Sequence, residues 1–421
     1  MKNNIKNRLI LILLIYIIFT LTGCNNTTSE KEPLIPYIKR DPSIKMNTHS
    51  GLTTDGSNIY FTAIVGSDTA QLSYSPQTNI YSRLCNDPLC DHKSSCYISH
   101  IRTDSEFIFH QNYAYFYHFD LTYKAKDPNA NPSVNFIRYD LINNQYRLYQ
   151  TIEGYKLHTK LNCLYAGDYR YYYDMVDVSE TTEADTDNFE YSLMRQNLYN
   201  RNTETVYTGV YIAEDYFTPL VAVPGKVFFK LPTSIEVRDE QSLDVLKRIE
   251  IVFGNATYDG TYIYGTAWKQ DSEGTYLYRM NPDTYEIEEF IIPGKISTYW
   301  LGDDYIYFIT NQKKTTERAH GMHEYPDSTI FKLSKASLDS GTPDIKMLAT
   351  FDGAFDKTYI EDNALVELDG ALYGFYGTFN ENVHEFESGI DGFSSTRNGC
   401  DFLIRIDCET GEISIVEGTV R

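Results

Sequence analysis

Three cysteines fall within twelve residues, in the run Cys85-Asn86-Asp87-Pro88-Leu89-Cys90-Asp91-His92-Lys93-Ser94-Ser95-Cys96, with His100 close behind. Thiolates and a neutral imidazole are good ligands for zinc. Cys85, Cys90, His92 and Cys96 would make a closed tetrahedral zinc site. Asp87-Pro88 favours the turn that brings Cys85 and Cys90 together. A single residue between Cys90 and His92 is short for paired ligands. A disulfide between two of the three cysteines, with the third free, is the rival chemistry, and an oxidising compartment favours it. A metal here would be structural, because four protein ligands leave no open position for a substrate.

Other candidates are weaker. Cys400 and Cys408 flank a strand and would lie roughly 26 Å apart in extended chain, too far to bond to each other. Cys163 shares strand phase with Leu161 and reads as core. His320 and His323 stand beside Glu324, and His384, Glu385 and Glu387 lie in a second loop. A shared metal or acid–base site is conceivable there, against the plainer reading of solvated side chains. Glu183, Asp185, Asp187 and Glu190 lack the glycine and ligand order of a calcium loop. There is no G-x-S-x-G, H-E-x-x-H, G-x-G-x-x-G or phosphate loop, so no catalytic residue and no further cofactor are assigned.

The elements that must position these groups are strands. The chain has 421 residues, 42% apolar and 14% aromatic, with 37 tyrosines. That is ample material for a core, and the aromatic excess favours sheets. With 37 basic and 58 acidic side chains the net charge is −21, which argues against a nucleic-acid partner. A turn followed by an alternating aromatic run recurs: Asp55-Gly56-Ser57-Asn58-Ile59-Tyr60-Phe61, Asp259-Gly260-Thr261-Tyr262-Ile263-Tyr264, Gly302-Asp303-Asp304-Tyr305-Ile306-Tyr307-Phe308 and Asp369-Gly370-Ala371-Leu372-Tyr373, with weaker copies at Tyr115, Tyr171 and Phe228. A second formula follows: apolar, basic or polar, apolar, then Asp or Asn before a turn. Examples are Phe136-Ile137-Arg138-Tyr139-Asp140, Ile235-Glu236-Val237-Arg238-Asp239, Leu277-Tyr278-Arg279-Met280-Asn281 and Leu403-Ile404-Arg405-Ile406-Asp407.

Seven copies of a four-stranded antiparallel unit predict an all-β fold, a β-propeller of seven blades, with six or eight as the neighbouring counts. No strand is left over after Ile413–Val416, so ring closure is expected from face packing or from Leu34 to Met46 adding to the final blade. In an up-and-down blade with strands A to D, the A–B and C–D turns emerge on one face and the B–C and D–A connections on the other. The long B–C loops expected are Asp120 to Val134, Asp177 to Glu190, Asn311 to Ser328, and Thr378 to Gly399. Long connections on a rigid scaffold are where binding usually resides.

The N-terminus has a different character. Lys2, Lys6 and Arg8 precede an apolar run from Leu9 to Leu21, about 20 Å of helix and short of a roughly 30 Å hydrocarbon core. This is the pattern of an export signal. It ends in Leu21-Thr22-Gly23-Cys24, which resembles the bacterial lipobox. That resemblance implies cleavage before Cys24 and lipid attachment to its thiol, leaving a mature net charge of 34 − 58 = −24. Diacylation would anchor the chain stably at the outer face of the cell membrane. The expected organisation is 1–23 signal peptide, 24–50 lipidated cysteine and tether, and 51–421 propeller.

Lipobox, tether, Asp-Gly-x-x-φ-Tyr repeats and the cysteine-rich loop together resemble lipoproteins of Gram-positive anaerobes that carry a propeller domain of unknown function, related loosely to TolB-like and WD-type propellers. The resemblance implies surface attachment and a binding role, and no catalytic residues. The expectation is a non-enzymatic, membrane-anchored binding module for a peptide, glycan or partner protein. The alternatives are an extracellular polysaccharide lyase or hydrolase working from the axial pocket, and a metal- or redox-responsive surface protein.

Overall fold

The computed structural model describes residues 38–39, 44–46, 52–65, 68–85, 108–119, 134–140, 142–143, 145–152, 164–177, 189–211, 217–267, 274–318, 321–352, 358–384, 392–416 and 418–420. They form a seven-bladed β-propeller. Seven antiparallel sheets of at least four strands succeed one another along the chain, over 53–83, 108–152, 164–211, 218–249, 254–293, 296–352 and 358–415. In each blade, strands A to D run in sequence order from the inside outward. The A strands of blades 1 and 2, 3 and 4, 4 and 5, and 6 and 7 meet, and so do those of blades 7 and 1, so the ring is closed.

The recurring sequence formulas have a common structural origin. Tyr60, Tyr115, Tyr171, Phe228, Tyr264, Tyr307 and Tyr373 all lie on B strands, and none is more than 6% exposed. Directly across on strand C stand Ser73, Arg138, Arg195, Val237, Arg279, Lys332 and Arg405. Five of the seven blades therefore pair a buried tyrosine with a basic residue on one sheet face, where directly opposed side chains interact. Two residues further on, Asp140, Asn197, Asp239, Asn281 and Asp407 each accept backbone N–H bonds from positions two and three ahead. These Asx turns fix the C–D corner. The A–B corner needs positive φ, which Asp369 (φ 52) and Gly370 (φ 71) supply together in blade 7.

Packing between blades supplies the core. Tyr307, Ile309 and Ile330 of blade 6 meet Leu372, Ile404 and Ile406 of blade 7. Tyr373, Phe375 and Leu403 of blade 7 meet Ile59, Phe61 and Tyr81 of blade 1. Burying an aromatic side chain of this size contributes about 1.5–3 kcal/mol, so each seam is a substantial share of the stability.

Two expectations change. Ring closure uses blade 1, not the final blade. Thr419–Val420 pairs in parallel with Ile80 and Tyr81 on strand D of blade 1, so a C-terminal strand is available after all. Ile38–Lys39 pairs with that added strand, and Ile44–Met46 pairs with strand B of the same blade. The second change concerns the B–C connections. Residues 311–328 and 378–399 are largely strand, not loop. In blade 6, strand B (Tyr305–Arg318) and strand C (Gly321–Ser334) keep an unbroken register out to Arg318↔Gly321. In blade 7, strand B (Ala371–His384) and strand C (Gly392–Asp407) pair out to His384↔Gly392. Polar residues continue a ladder that the buried hairpin has already nucleated, since pairing satisfies their backbone groups at no further closure cost. The other two connections lie between Phe119 and Val134 and between Asp177 and Phe189, outside the described residues.

Candidate functional site

On the face of the A–B and C–D turns, polar groups join one blade to the next. Gln77 Nε2 donates to Asp369 Oδ2 at 2.9 Å between blades 1 and 7. Tyr199 Oη donates to Gln111 Oε1 at 2.9 Å between blades 3 and 2. Arg195 Nη1 donates to the Glu240 carbonyl at 2.6 Å between blades 3 and 4. Lys226 Nζ donates to the Pro282 carbonyl and to Asp283, both at 2.8 Å, between blades 4 and 5. Lys335 Nζ bonds Asp259 Oδ2 at 2.9 Å and Arg279 Nη1 bonds Asp339 Oδ1 at 2.7 Å between blades 6 and 5. Lys332 Nζ donates to the Cys408 carbonyl between blades 6 and 7. Between blades 1 and 2 the contact is aromatic, Tyr60 on Phe109 at 4.8 Å. Side chains with these partners hold the ring together.

Buried ionisable groups are held by the side chains around them. Burial pushes the phenols of Tyr115, Tyr171 and Tyr264 up to about 12, so they are neutral at any ordinary pH. Glu236 is 3% exposed and binds Arg238 and Arg248 at 2.7 and 2.6 Å. Burial raises its carboxyl, but hydrogen bonds from Arg248 and Arg238 outweigh that and hold it below the usual range. Arg170 is 2% exposed and donates to Gln196, Tyr117 and Gln150, with its guanidinium 4.1 Å from the Phe136 ring centroid. Its partners are neutral, and cation–π contact replaces a counter-ion. Neither residue was singled out from the sequence. Arg170 sits inside the alternating run Tyr169-Arg170-Tyr171, where a basic residue looks like an outward position.

The opposite face carries the B–C connections and the two extended hairpins. There the hairpins of blades 6 and 7 stand side by side in the blade order. They place His323 and Glu324 on strand C of blade 6, across from Thr316 and Thr315, and His384 at the end of strand B of blade 7. These residues occupy ordered strand positions rather than the loops expected for them. His320, Glu385 and Glu387 lie outside the described residues, as do Cys24, Cys90, His92, Cys96, His100 and Cys163. Cys85 ends blade 1 as a buried thiol, in the apolar seam formed by Tyr60, Leu84, Ala114, Phe116, Ile137 and Tyr139. Cys408 is a buried thiol with no disulfide among the described residues, and burial pushes it up from the ordinary thiol range. Among the described residues, no three His, Cys, Asp or Glu side chains converge as a metal site. No helix of the described residues is long and apolar enough to cross a membrane.

No family model matches the sequence, and no curated protein matches it. Among solved structures the chain is similar to an oligogalacturonate lyase from Vibrio parahaemolyticus, with a TM-score of 0.49 and 11% identity over 80% of this chain and 88% of that one. It is similar to an acylaminoacyl peptidase from Pyrococcus horikoshii, with a TM-score of 0.47 and 10% identity over 90% of this chain and 54% of that one. It is also similar to TolB from Acinetobacter baumannii, with a TM-score of 0.31 and 14% identity over 75% of this chain and 68% of that one. At these identities the likeness concerns the propeller fold alone. It still corrects one expectation. The chain was expected not to be an enzyme because motifs were missing, yet the propellers it resembles include those of a lyase and a peptidase, so the missing motifs exclude nothing.

Proposed function

We propose that this chain is an exported, membrane-tethered propeller that takes a peptide, glycan or partner protein on the face bearing the B–C connections. The observation that carries the reading is the pair of long hairpins, or arms, that blades 6 and 7 extend on that face. Strand pairing runs out to Arg318↔Gly321 in the first and to His384↔Gly392 in the second. Arms beyond a closed scaffold offer surface without costing the scaffold its packing. Binding precedes both recognition and catalysis, so the reading does not depend on which follows. The lipobox-like Leu21-Thr22-Gly23-Cys24 supports lipid anchoring at Cys24 to the outer face of the membrane. The ligand types of Cys85, Cys90, His92 and Cys96 support structural zinc, and a metal content far below one zinc per chain would remove that part.

The test uses the mature propeller and a form in which both arms are cut back to short turns. Each is screened against glycan and peptide arrays. Binding by the intact protein that disappears in the trimmed form, with its melting temperature kept, is expected. Equal binding by the trimmed form would overturn the reading. In cells, Cys24→Ala is expected to leave the membrane fraction while staying folded, and its retention there would count against the anchor.

A further inference from the structure

The rim of the ring is made of D strands, and each is an open sheet edge unless another strand covers it. On blade 1 the edge is covered by Thr419–Val420. On blade 4 (strand D, Val245–Ile249) and blade 5 (strand D, Ile287–Pro293) it is open among the described residues. Blade 4 presents Val245 at 55% and Leu246 at 47% exposure, followed by the exposed Lys247 and Arg248. Blade 5 presents the exposed Glu288 and Glu289, and Ile291 at 59% exposure. Charges on an open edge ordinarily keep other chains away. Here their signs are opposite on neighbouring blades, and aliphatic surface accompanies both.

The charges of the two edges stand at the same heights. Val245 pairs with Arg238 and Ile287 with Met280, in each case the residue just before the Asx turn at Asp239 or Asn281. Lys247 and Glu288 pair with the next residue back on strand C, Val237 and Arg279. Arg248 and Glu289 pair with the one behind that, Glu236 and Tyr278. Alternation then gives their sides. Val237 and Tyr278 pack in the seam between blades 4 and 5, so Lys247 and Glu289 lie on the sides facing that seam. Arg248 bonds Glu236 and Glu288 bonds Arg279, residues of the other parity, so these two lie on the sides turned away from it.

We propose that the rim of blades 4 and 5 is a two-fold contact between two copies of this chain. An axis parallel to the ring axis, set at the rim between these blades, puts blade 4 of each copy against blade 5 of the other. The rotation does not tilt the ring, so heights are kept. It sets Lys247 on the same side as Glu289 of the second copy, and Arg248 on the same side as Glu288. Each pair is one residue apart in height, about 3.3 Å, which a lysine or arginine stem spans. Val245, Leu246 and Ile291 lose water in the same contact. An acidic peptide would match blade 4 and leave the glutamates of blade 5 unmatched; a second copy matches both. In a chain of net charge −21 two copies repel overall, and these level, opposite charges select where they meet.

The experiment is analytical ultracentrifugation of the intact mature protein over a concentration series, with Lys247→Glu, Glu289→Lys, the double variant and an equimolar mixture of the two single variants. Val245→Ser/Leu246→Ser alters the apolar part at exposed positions, and thermal melts check that every variant stays folded. A monomer–dimer equilibrium tighter than about 100 μM is expected for the parent. Each single reversal and the serine variant should weaken it about tenfold or more. The double variant and the mixture should both return to within about threefold of the parent, because each restores opposite charges at both contacts. A parent that stays monomeric, or a dimer that the reversals leave intact, would overturn the proposal. Weakening that neither the double variant nor the mixture recovers would place the effect within one chain and overturn it equally.

Discussion

The most direct test of how the ring closes is Gly418→Ala. A Cβ at position 418 would lie 2.3 and 2.4 Å from two carbons of the Tyr81 ring. Carbon atoms pack at about 3.5–4.0 Å, so more than 1 Å of overlap must be relieved. Tyr81 is 1% exposed, sits in the seam of blades 7 and 1, and donates its hydroxyl to the Val416 carbonyl at 3.1 Å. The ring has little room to turn, so the terminal strand must lift from Ile80 and Tyr81. Overpacking of this kind costs about 1–3 kcal/mol. Spread over a fold this large, that is a fall in melting temperature of about 2–4 °C. Tyr81→Phe removes the hydroxyl bond alone and should cost about 1 kcal/mol. Both changes act on one contact, so the double variant should cost less than the sum, by about 0.5 kcal/mol or more. Calorimetric melts and the rate of carboxypeptidase digestion are the readouts. Faster digestion of Gly418→Ala together with the lower melting temperature is expected. An unchanged melt with unchanged digestion would mean that the C-terminal strand does not close the ring.

Two carboxylates should respond to pH in opposite senses. Glu236 has a lowered folded value, so its stabilisation is present above the unfolded value near 4.5 and is lost as pH falls through the folded one. Glu236→Gln should cost about 1–2 kcal/mol at pH 7, and its deficit against the parent should close below about pH 4.5; a deficit constant with pH would refute the ion-pair account. Glu367 is the reverse case: burial, then the nearby Asp303 carboxylate, raises its carboxyl, and its Oε2 has no hydrogen-bond partner among the described residues. The fold favours its protonated form, so a penalty appears as pH rises above 4.5. Glu367→Gln should raise the melting temperature at pH 7 and leave it unchanged at pH 4, and a lower melting temperature at pH 7 would contradict the assignment.

The amino-acid sequence by itself determined the repeat and therefore the fold. Every blade must place an aromatic residue at one strand B position to pack against its neighbour, and most blades set a basic residue across from it. The Asp or Asn two places later makes its turn through bonds to its own backbone. All three requirements are local, so Tyr264, Arg279 and Asn281 announce a blade without any knowledge of the rest of the chain. Phe228 opposite Val237 lacks the polar half of the pair, which is why blade 4 is the faint copy. Only the tertiary structure decided where polar residues become strand. Residues 311–328 and 378–399 look like loops, because nothing apolar alternates through most of them; they pair because the hairpin beneath holds their backbones in register. The closing strand at Thr419–Val420 is two residues long and carries no pattern of its own, and its place is set by Tyr81, more than three hundred residues away. Arg170 and Glu236 were hidden for the same reason: whether a charge on a strand is solvated or buried depends on the blade beside it, and that neighbour is supplied by the closing of the ring.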